Sequence, residues 1–286
     1  MLGALVIVFR EMLEAGLIVG IVMAATRGVP ARGRWIVLGI AAGALGAGLV
    51  AIFAGAISEA FEGAGQEIFN AFVLGIAVVM LMWHNAWMAA HGREIAVEMR
   101  DIGTAVTQGA KPLTALAVVV GLAVLREGAE VVLFLYGIMA GGTSPAALLA
   151  GGILGIAAGA AFSALIYFGL LSIPSSYLFS LTSALIALLA AGLAAQAVQF
   201  LASAGILTAL DETAWNTSWL LSEDSIIGRL LHTLIGYSER PSTMQLLVYC
   251  GTLLVMALLM RLARQSHRGT GSSASRSAAT ASRIAR

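Results

Sequence analysis

Residues 6–20, VIVFREMLEAGLIVG, form an apolar run that is interrupted by one arginine and two glutamates. The chain around it has 286 residues, of which 59% are hydrophobic and only 11% are charged. Soluble domains carry about 25% charged residues, so this composition is typical of an integral membrane protein. A charged side chain at the centre of a membrane helix costs roughly 2.5 to 3.5 kcal/mol, so the charged cluster indicates a functional site.

Charge and cysteine content exclude several other classes of protein. The formal net charge is +1, which gives no electrostatic basis for binding nucleic acid. A single cysteine, Cys250, excludes an internal disulfide and a cysteine-rich metal site.

Apolar segments long enough to cross about 30 Å of hydrocarbon recur along the chain. Lipid offers backbone amides no hydrogen-bond partners, so these segments are expected to be helices. We predict an all-α integral membrane protein with seven transmembrane helices, at residues 2–25, 35–57, 68–90, 113–140, 146–171, 177–203 and 244–262.

The basic residues predict the orientation of these helices, because cytoplasmic loops are enriched in Lys and Arg. With the N-terminus outside, cytoplasmic segments hold twelve of the sixteen Lys and Arg residues and external segments hold two. We therefore expect a multi-pass plasma-membrane protein with a cytoplasmic C-terminus. External acidic residues are then a possible entry site for cations, or ordinary solvated loop charges; they include Glu59, Glu62, Glu67, Asp211 and Glu212.

An internal repeat divides the membrane domain, which we place at residues 1–264. REMLE at 10–14 is matched by REGAE at 126–130, also within an apolar run. Two predicted spans separate the motifs, which gives one repeat at about 1–111 and another at about 112–204. An external loop at 205–243, a seventh helix at 244–262 and a disordered basic tail at 265–286 complete the predicted chain. Three spans per repeat force the second copy to be inverted, an arrangement typical of secondary transporters with a midplane substrate site.

The two motifs carry the groups expected of a cation site. Arg10, Glu11 and Glu14 lie on one narrow helical face, and the second motif repeats that face. Fully ionised, two arginines and four glutamates sum to −2. Carboxylate oxygens suit hard cations. The alternative is that each Arg and Glu pair only clamps two helices together.

Other polar residues in the spans have simpler explanations. His84 and Asn85 lie toward the inner end of the third span, where we favour hydrogen bonds to a neighbouring helix over a place on an ion path. Trp83 and Trp87 are expected to anchor this span at the membrane interface. Residues 218–237 have the spacing of an amphipathic helix, either on the outer face or folded back toward the pore.

The motif R-E-x-x-E on the first and fourth of seven helices resembles the oxidase-dependent iron transporter family of fungal high-affinity iron permeases and bacterial EfeU-type proteins. The segment SWLLSEDSIIGRLLHTLIGYSERPSTMQLLVY, residues 218–249, resembles this family too, so the likeness covers all predicted spans. The resemblance implies iron import and not covalent catalysis, with iron as substrate and no permanently bound cofactor. It also implies a separate extracytoplasmic protein that oxidises or delivers iron. The implied metal ligands are Glu11, Glu14, Glu127 and Glu130, with Arg10 and Arg126 as charge partners.

Two rival functions stay open at this point. Another cation, such as lead or manganese, could use the same oxygens. A membrane scaffold with structural ion pairs would transport nothing.

Overall fold

The computed structural model describes residues 1–60, 66–169, 175–207, 210, 212–223 and 225–262. Within these residues the chain forms eight helices and no strand longer than an isolated bridge. The helices are α1 (Leu2–Ala25), α2 (Arg32–Ala60), α3 (Gln66–Thr107), α4 (Thr114–Ala140), α5 (Pro145–Tyr167), α6 (Ser175–Ser203), α7 (Ile226–Ile235) and α8 (Thr243–Leu262).

Five helices are long and apolar enough to cross a membrane by themselves: α2, the first part of α3, α5, most of α6, and α8. The helices α1 and α4, of 24 and 27 residues, have the required length but each carries the three charges of its motif. Large apolar side chains such as Leu45 and Phe53 are exposed on the outside of the bundle, as in a protein whose solvent there is lipid. The chain is therefore a helical, multi-pass membrane protein.

The largest differences from the sequence-based expectation are at the end of α3, at the end of α5 and in the amphipathic segment. Helix α3 continues to Thr107 instead of ending near residue 90, and its end is tied to α1 because Thr107 Oγ1 donates to the Ala25 carbonyl over 3.0 Å. Helix α5 ends at Tyr167, short of residue 171. The amphipathic segment is helical only over Ile226–Ile235, since Ser225 caps its start and Gly236 ends it at φ +69°. The tail at 265–286 lies outside the described residues.

Close helix packing joins α2 to α4 through a row of glycines on α2. A Cβ on Gly43 would lie 2.6 Å from the carbonyl oxygen of Gly121 and 2.9 Å from the amide nitrogen of Leu125. Only glycine allows the two backbones to approach this closely.

The packing of α5 on α1 repeats this arrangement atom for atom. A Cβ on Gly155 would lie 2.9 Å from the carbonyl oxygen of Leu5 and 3.0 Å from the amide nitrogen of Phe9. Leu5 and Phe9 precede the corresponding α4 residues by 116 positions, which is also the interval between the two R-E-x-x-E motifs. Equivalent positions in the two halves thus make equivalent backbone contacts.

The centre of the bundle is formed by α1, α3, α4 and α6. Ile7, Leu74, Leu81, Phe134 and Ile186, which come from these four helices, are fully buried in one apolar cluster. Arg10, Glu11, Glu14 and Glu127 of the charged motifs are buried on α1 and α4 within this bundle.

Candidate metal-ion site

The two charged motifs meet inside the bundle, because α1 and α4 contact each other and both contact α3. Arg10, Glu11, Glu14 and Glu127 are each no more than 3% exposed. Glu130 belongs to the same cluster, although its side chain is 16% exposed.

The first motif forms ion pairs within α1. Arg10 Nε lies 2.9 Å from Glu14 Oε1, and Arg10 Nη1 lies 3.6 Å from Glu11 Oε1. Neither approach has the alignment of a hydrogen bond, so both carboxylates keep unpaired oxygens. The guanidinium therefore offsets their charge without occupying all of their acceptor sites.

The second motif is paired in the same way but is more open. Arg126 Nε donates to Glu130 Oε1 over 3.2 Å and lies 3.9 Å from Glu127 Oε1. The Arg126 side chain is 39% exposed, against 2% for Arg10. The side chains of the two equivalent arginines thus differ in their exposure.

Trp87 supports the more open arginine. The Arg126 guanidinium carbon lies 4.2 Å from the centre of the Trp87 ring, a cation–π contact. Trp87 thus contacts a residue of the second motif, and its place at the membrane interface stays a prediction. Trp83 is 71% exposed and remains suited to an interface.

His84 joins this cluster, whereas the sequence analysis placed it toward the inner end of the third span and apart from the motifs. Its side chain is buried between the two motifs, with Nδ1 against Glu130 Oε2. Its Nε2 lies 3.6 Å from Glu11 Oε2 and 3.8 Å from Glu14 Oε2. The signal that could have found it is the one used for the motifs, an ionisable residue within an apolar span.

Asn85 makes the interhelical bond expected of this pair of residues. Its Nδ2 donates to the Ser183 carbonyl on α6 over 3.2 Å. The interhelical interpretation is thus confirmed for Asn85, and the contact between His84 and Glu130 also joins two helices, α3 and α4.

Four side chains offer a compact set of metal-ligand atoms. One atom from each of Glu11, His84, Glu127 and Glu130 lies within 4.8 Å of the others. Glu14 is adjacent to this set and is held by Arg10. Five carboxylate oxygens around the set are buried without a hydrogen-bond donor, and a cation would satisfy them; they belong to Glu11, Glu14 and Glu127.

The possible entry residues lie apart from this cluster where the structure describes them. Glu67, in the first turn of α3, and Glu212, before α8, are exposed and are not members of it. The backbone carbonyl of Glu212 accepts a hydrogen bond from the Thr243 amide over 3.0 Å. The side chain of Glu59 and the residues Glu62 and Asp211 lie outside the described part of the chain.

Comparison with known proteins assigns the chain to a family. The model of the iron permease FTR1 family matches residues 1–265. The chain belongs to this family. The family predicted from the paired motifs is thereby confirmed, and it indicates a transporter rather than a catalytic enzyme.

Relatives of known name match over most of their length. A protein of Escherichia coli O6:K15:H31 named ferrous iron permease EfeU is 35% identical over 250 residues, 85% of this chain and 89% of the relative. A protein of the same name from Yersinia pestis is 30% identical over 274 residues, 94% of this chain and 96% of the relative. No solved structure matches the chain.

Proposed function

We propose that this protein imports iron across the plasma membrane through the buried site formed by its two R-E-x-x-E motifs. The observation that carries the proposal is the convergence of four glutamates from two helices, with oxygens that no donor satisfies. In this proposal Glu11, Glu127 and Glu130 contact the ion directly, and Glu14 completes the set when Arg10 releases it.

The charges of the site support a cation as the transported species. Four carboxylates and two guanidinium groups leave a formal charge of −2 when the histidine is neutral. Several kcal/mol are required to bury an unpaired charge, so the arginines reduce this cost while the site is empty. A divalent ion would bring the total to zero.

The cargo in this proposal is ferrous iron, as in the names of the relatives. Import of ferric iron after oxidation by a separate extracytoplasmic partner is the second possibility, and it uses the same carboxylates. Anaerobic uptake of Fe²⁺ by the purified protein alone would favour the first. A requirement for an oxidising protein would favour the second.

The repeated backbone contacts support a mechanism of alternating access. Gly43 on α2 and Gly155 on α5 meet equivalent atoms of α4 and α1, as an inverted repeat of three helices requires. With the N-terminus outside, Arg10 lies on the outer side of its motif and Arg126 on the inner side of its own. In this mechanism the buried Arg10 closes the outer side of the site, and the more exposed Arg126 lies toward its cytoplasmic side.

Metal uptake into proteoliposomes tests the site. We expect Glu14→Gln and Glu130→Gln each to abolish most iron flux, because each removes one negative charge from the site, whose net negative charge attracts the ion. Glu98→Gln is the matched control, since Glu98 is exposed on the extension of α3. Normal flux in both site variants, with only a lower thermal stability, would contradict the proposal and favour a scaffold. Uptake in the presence of manganese or lead would show whether another cation is the preferred cargo.

A further inference from the structure

His84 is the one residue of the compact ligand set that comes from outside the two motifs. It belongs to α3 and has no counterpart in the repeated R-E-x-x-E pattern. Its side chain is 4% exposed, and both ring nitrogens face carboxylates without an aligned hydrogen bond. Each of the four glutamates has a counterpart in the other repeat, so the histidine makes the site asymmetric.

The orientation of the imidazole ring decides which nitrogen is available. Glu130 Oε2 lies closer to Nδ1 than any carboxylate oxygen lies to Nε2, so we assign the proton of the neutral imidazole to Nδ1. Nε2 then keeps its lone pair. A carboxylate that orients a histidine through one nitrogen, with the other directed at a metal, is a recurring arrangement in metalloproteins.

The lone pair of Nε2 faces two further acceptors. Glu11 Oε2 is 3.6 Å and Glu14 Oε2 is 3.8 Å away, and neither oxygen has a donor. Donor atoms about 2.1 Å from a shared ion lie roughly 3.0 to 3.4 Å from each other in octahedral or tetrahedral coordination. An ion shared by Nε2 and either oxygen would therefore need that pair of atoms to approach by roughly 0.2 to 0.8 Å.

We propose that His84 Nε2 is a direct ligand of the transported ion and selects iron and the later first-row transition metals over Mg²⁺ and Ca²⁺. This inference rests on the proposed function, because it assigns a further ligand to the same site. Carboxylate oxygens alone would accept Mg²⁺, Ca²⁺ and Mn²⁺, whereas imidazole nitrogen suits iron, nickel, copper and zinc. Magnesium and calcium bind oxygen and gain little from a nitrogen donor.

The residues next to His84 argue against a purely structural role. Asn85 already makes the bond from this turn of α3 to α6. The His84 ring packs edge-on against Phe134, with ring centres 6.3 Å apart, which fixes its position without using its nitrogens. An apolar side chain of similar size would fill that space equally well, so the nitrogens point to a bound ion.

Competition during uptake tests the selectivity. Purified full-length protein in proteoliposomes would take up Fe²⁺ under anaerobic conditions, with Co²⁺ or Mg²⁺ as competitor. His84→Gln replaces the nitrogen with an amide, and we expect the advantage of Co²⁺ over Mg²⁺ to fall by about tenfold or more. His91→Gln, seven residues further along α3, is the matched control and should leave the ratio unchanged. An unchanged ratio in His84→Gln that still transports would overturn the proposal.

A spectroscopic measurement covers the case in which the variant fails to fold. Cu²⁺ bound to the wild-type protein should show nitrogen hyperfine coupling in electron paramagnetic resonance, and this coupling should persist in His91→Gln. Its absence from the wild type, or its persistence in folded His84→Gln, would overturn the proposal. Failure of the carboxylate site is a separate result, namely normal iron flux in Glu14→Gln and Glu130→Gln.

Discussion

Replacing Gly155 with alanine should destabilise the bundle, although the same change at Gly152 should not. A Cβ on Gly155 would lie 2.8 Å from Val8 Cβ, 2.9 Å from the Leu5 carbonyl oxygen and 3.0 Å from the Phe9 amide nitrogen. Two of these three atoms are backbone, so α5 must move away from α1. Overpacking of this kind typically costs about 1 to 3 kcal/mol.

Gly152, one turn away on α5, has nothing within 4 Å of its Cβ position. Alanine there removes the flexibility of glycine in a helix and should stabilise by roughly 0.5 to 1 kcal/mol. The two substitutions, identical in chemistry, are therefore expected to differ by about 1.5 to 4 kcal/mol in the free energy of unfolding.

The assay is thermal unfolding of the purified variants in one detergent, followed by intrinsic tryptophan fluorescence. A difference of this size should separate the two midpoints by roughly 3 to 16 °C, at the 2 to 4 °C per kcal/mol typical of domains of about 150 to 250 residues. Because Gly43 occupies the equivalent position on α2, Gly43→Ala should lower stability by a similar amount, and Gly48→Ala is its control. Equal midpoints for Gly155→Ala and Gly152→Ala would refute the packing argument.

Three further predictions concern single contacts. Asn85→Ala removes a 3.2 Å hydrogen bond to α6 and should lower the free energy of unfolding by about 0.5 to 1.5 kcal/mol in denaturant titration; an unchanged midpoint would contradict it. Trp87→Leu removes the ring 4.2 Å from the Arg126 guanidinium and should lower the free energy of unfolding by roughly 0.5 to 2 kcal/mol. Trp83→Leu, at a residue that is 71% exposed, should lower it much less, and equal losses in the two variants would disprove the contact. Gly236→Ala places a side chain on a residue with a φ of +69° and against the backbone of α6. Limited proteolysis should then cut the loop between α6 and α8 faster than in the wild type, and an unchanged cleavage rate would exclude this packing.

The membrane architecture could be predicted from the sequence because it depends on local composition. A run of apolar residues about 20 long spans a bilayer as a helix whatever its neighbours are. The start of α1 and the end of α4 were placed within one residue of their structural positions. The end of α3 was misplaced because residues 93–107 are polar enough to leave the membrane yet continue the helix, and hydropathy does not report helix continuity.

The paired motifs were recognisable for a related reason, namely the high cost of charge in lipid. It is costly to expose Arg10, Glu11 and Glu14 to hydrocarbon, so these residues are expected in the interior of the bundle. This prediction does not depend on which residues surround them. The repeat at residues 126–130 then predicts the second half. The family comparison confirms the family that the two motifs suggested.

The sequence by itself therefore determined that the chain is a helical membrane protein, that it holds two matched charged motifs, and that it belongs with the iron permeases. Only the tertiary structure decided that His84 lies between the motifs, that Trp87 supports Arg126, and that Arg10 is the more buried of the two arginines. The physical reason is that the sequence does not define how each helix is rotated about its axis or how deeply each residue lies in the bundle. The helices that surround the site are apolar on nearly every side, so composition does not fix which face of α3 turns inward, and contact with α1, α4 and α6 does.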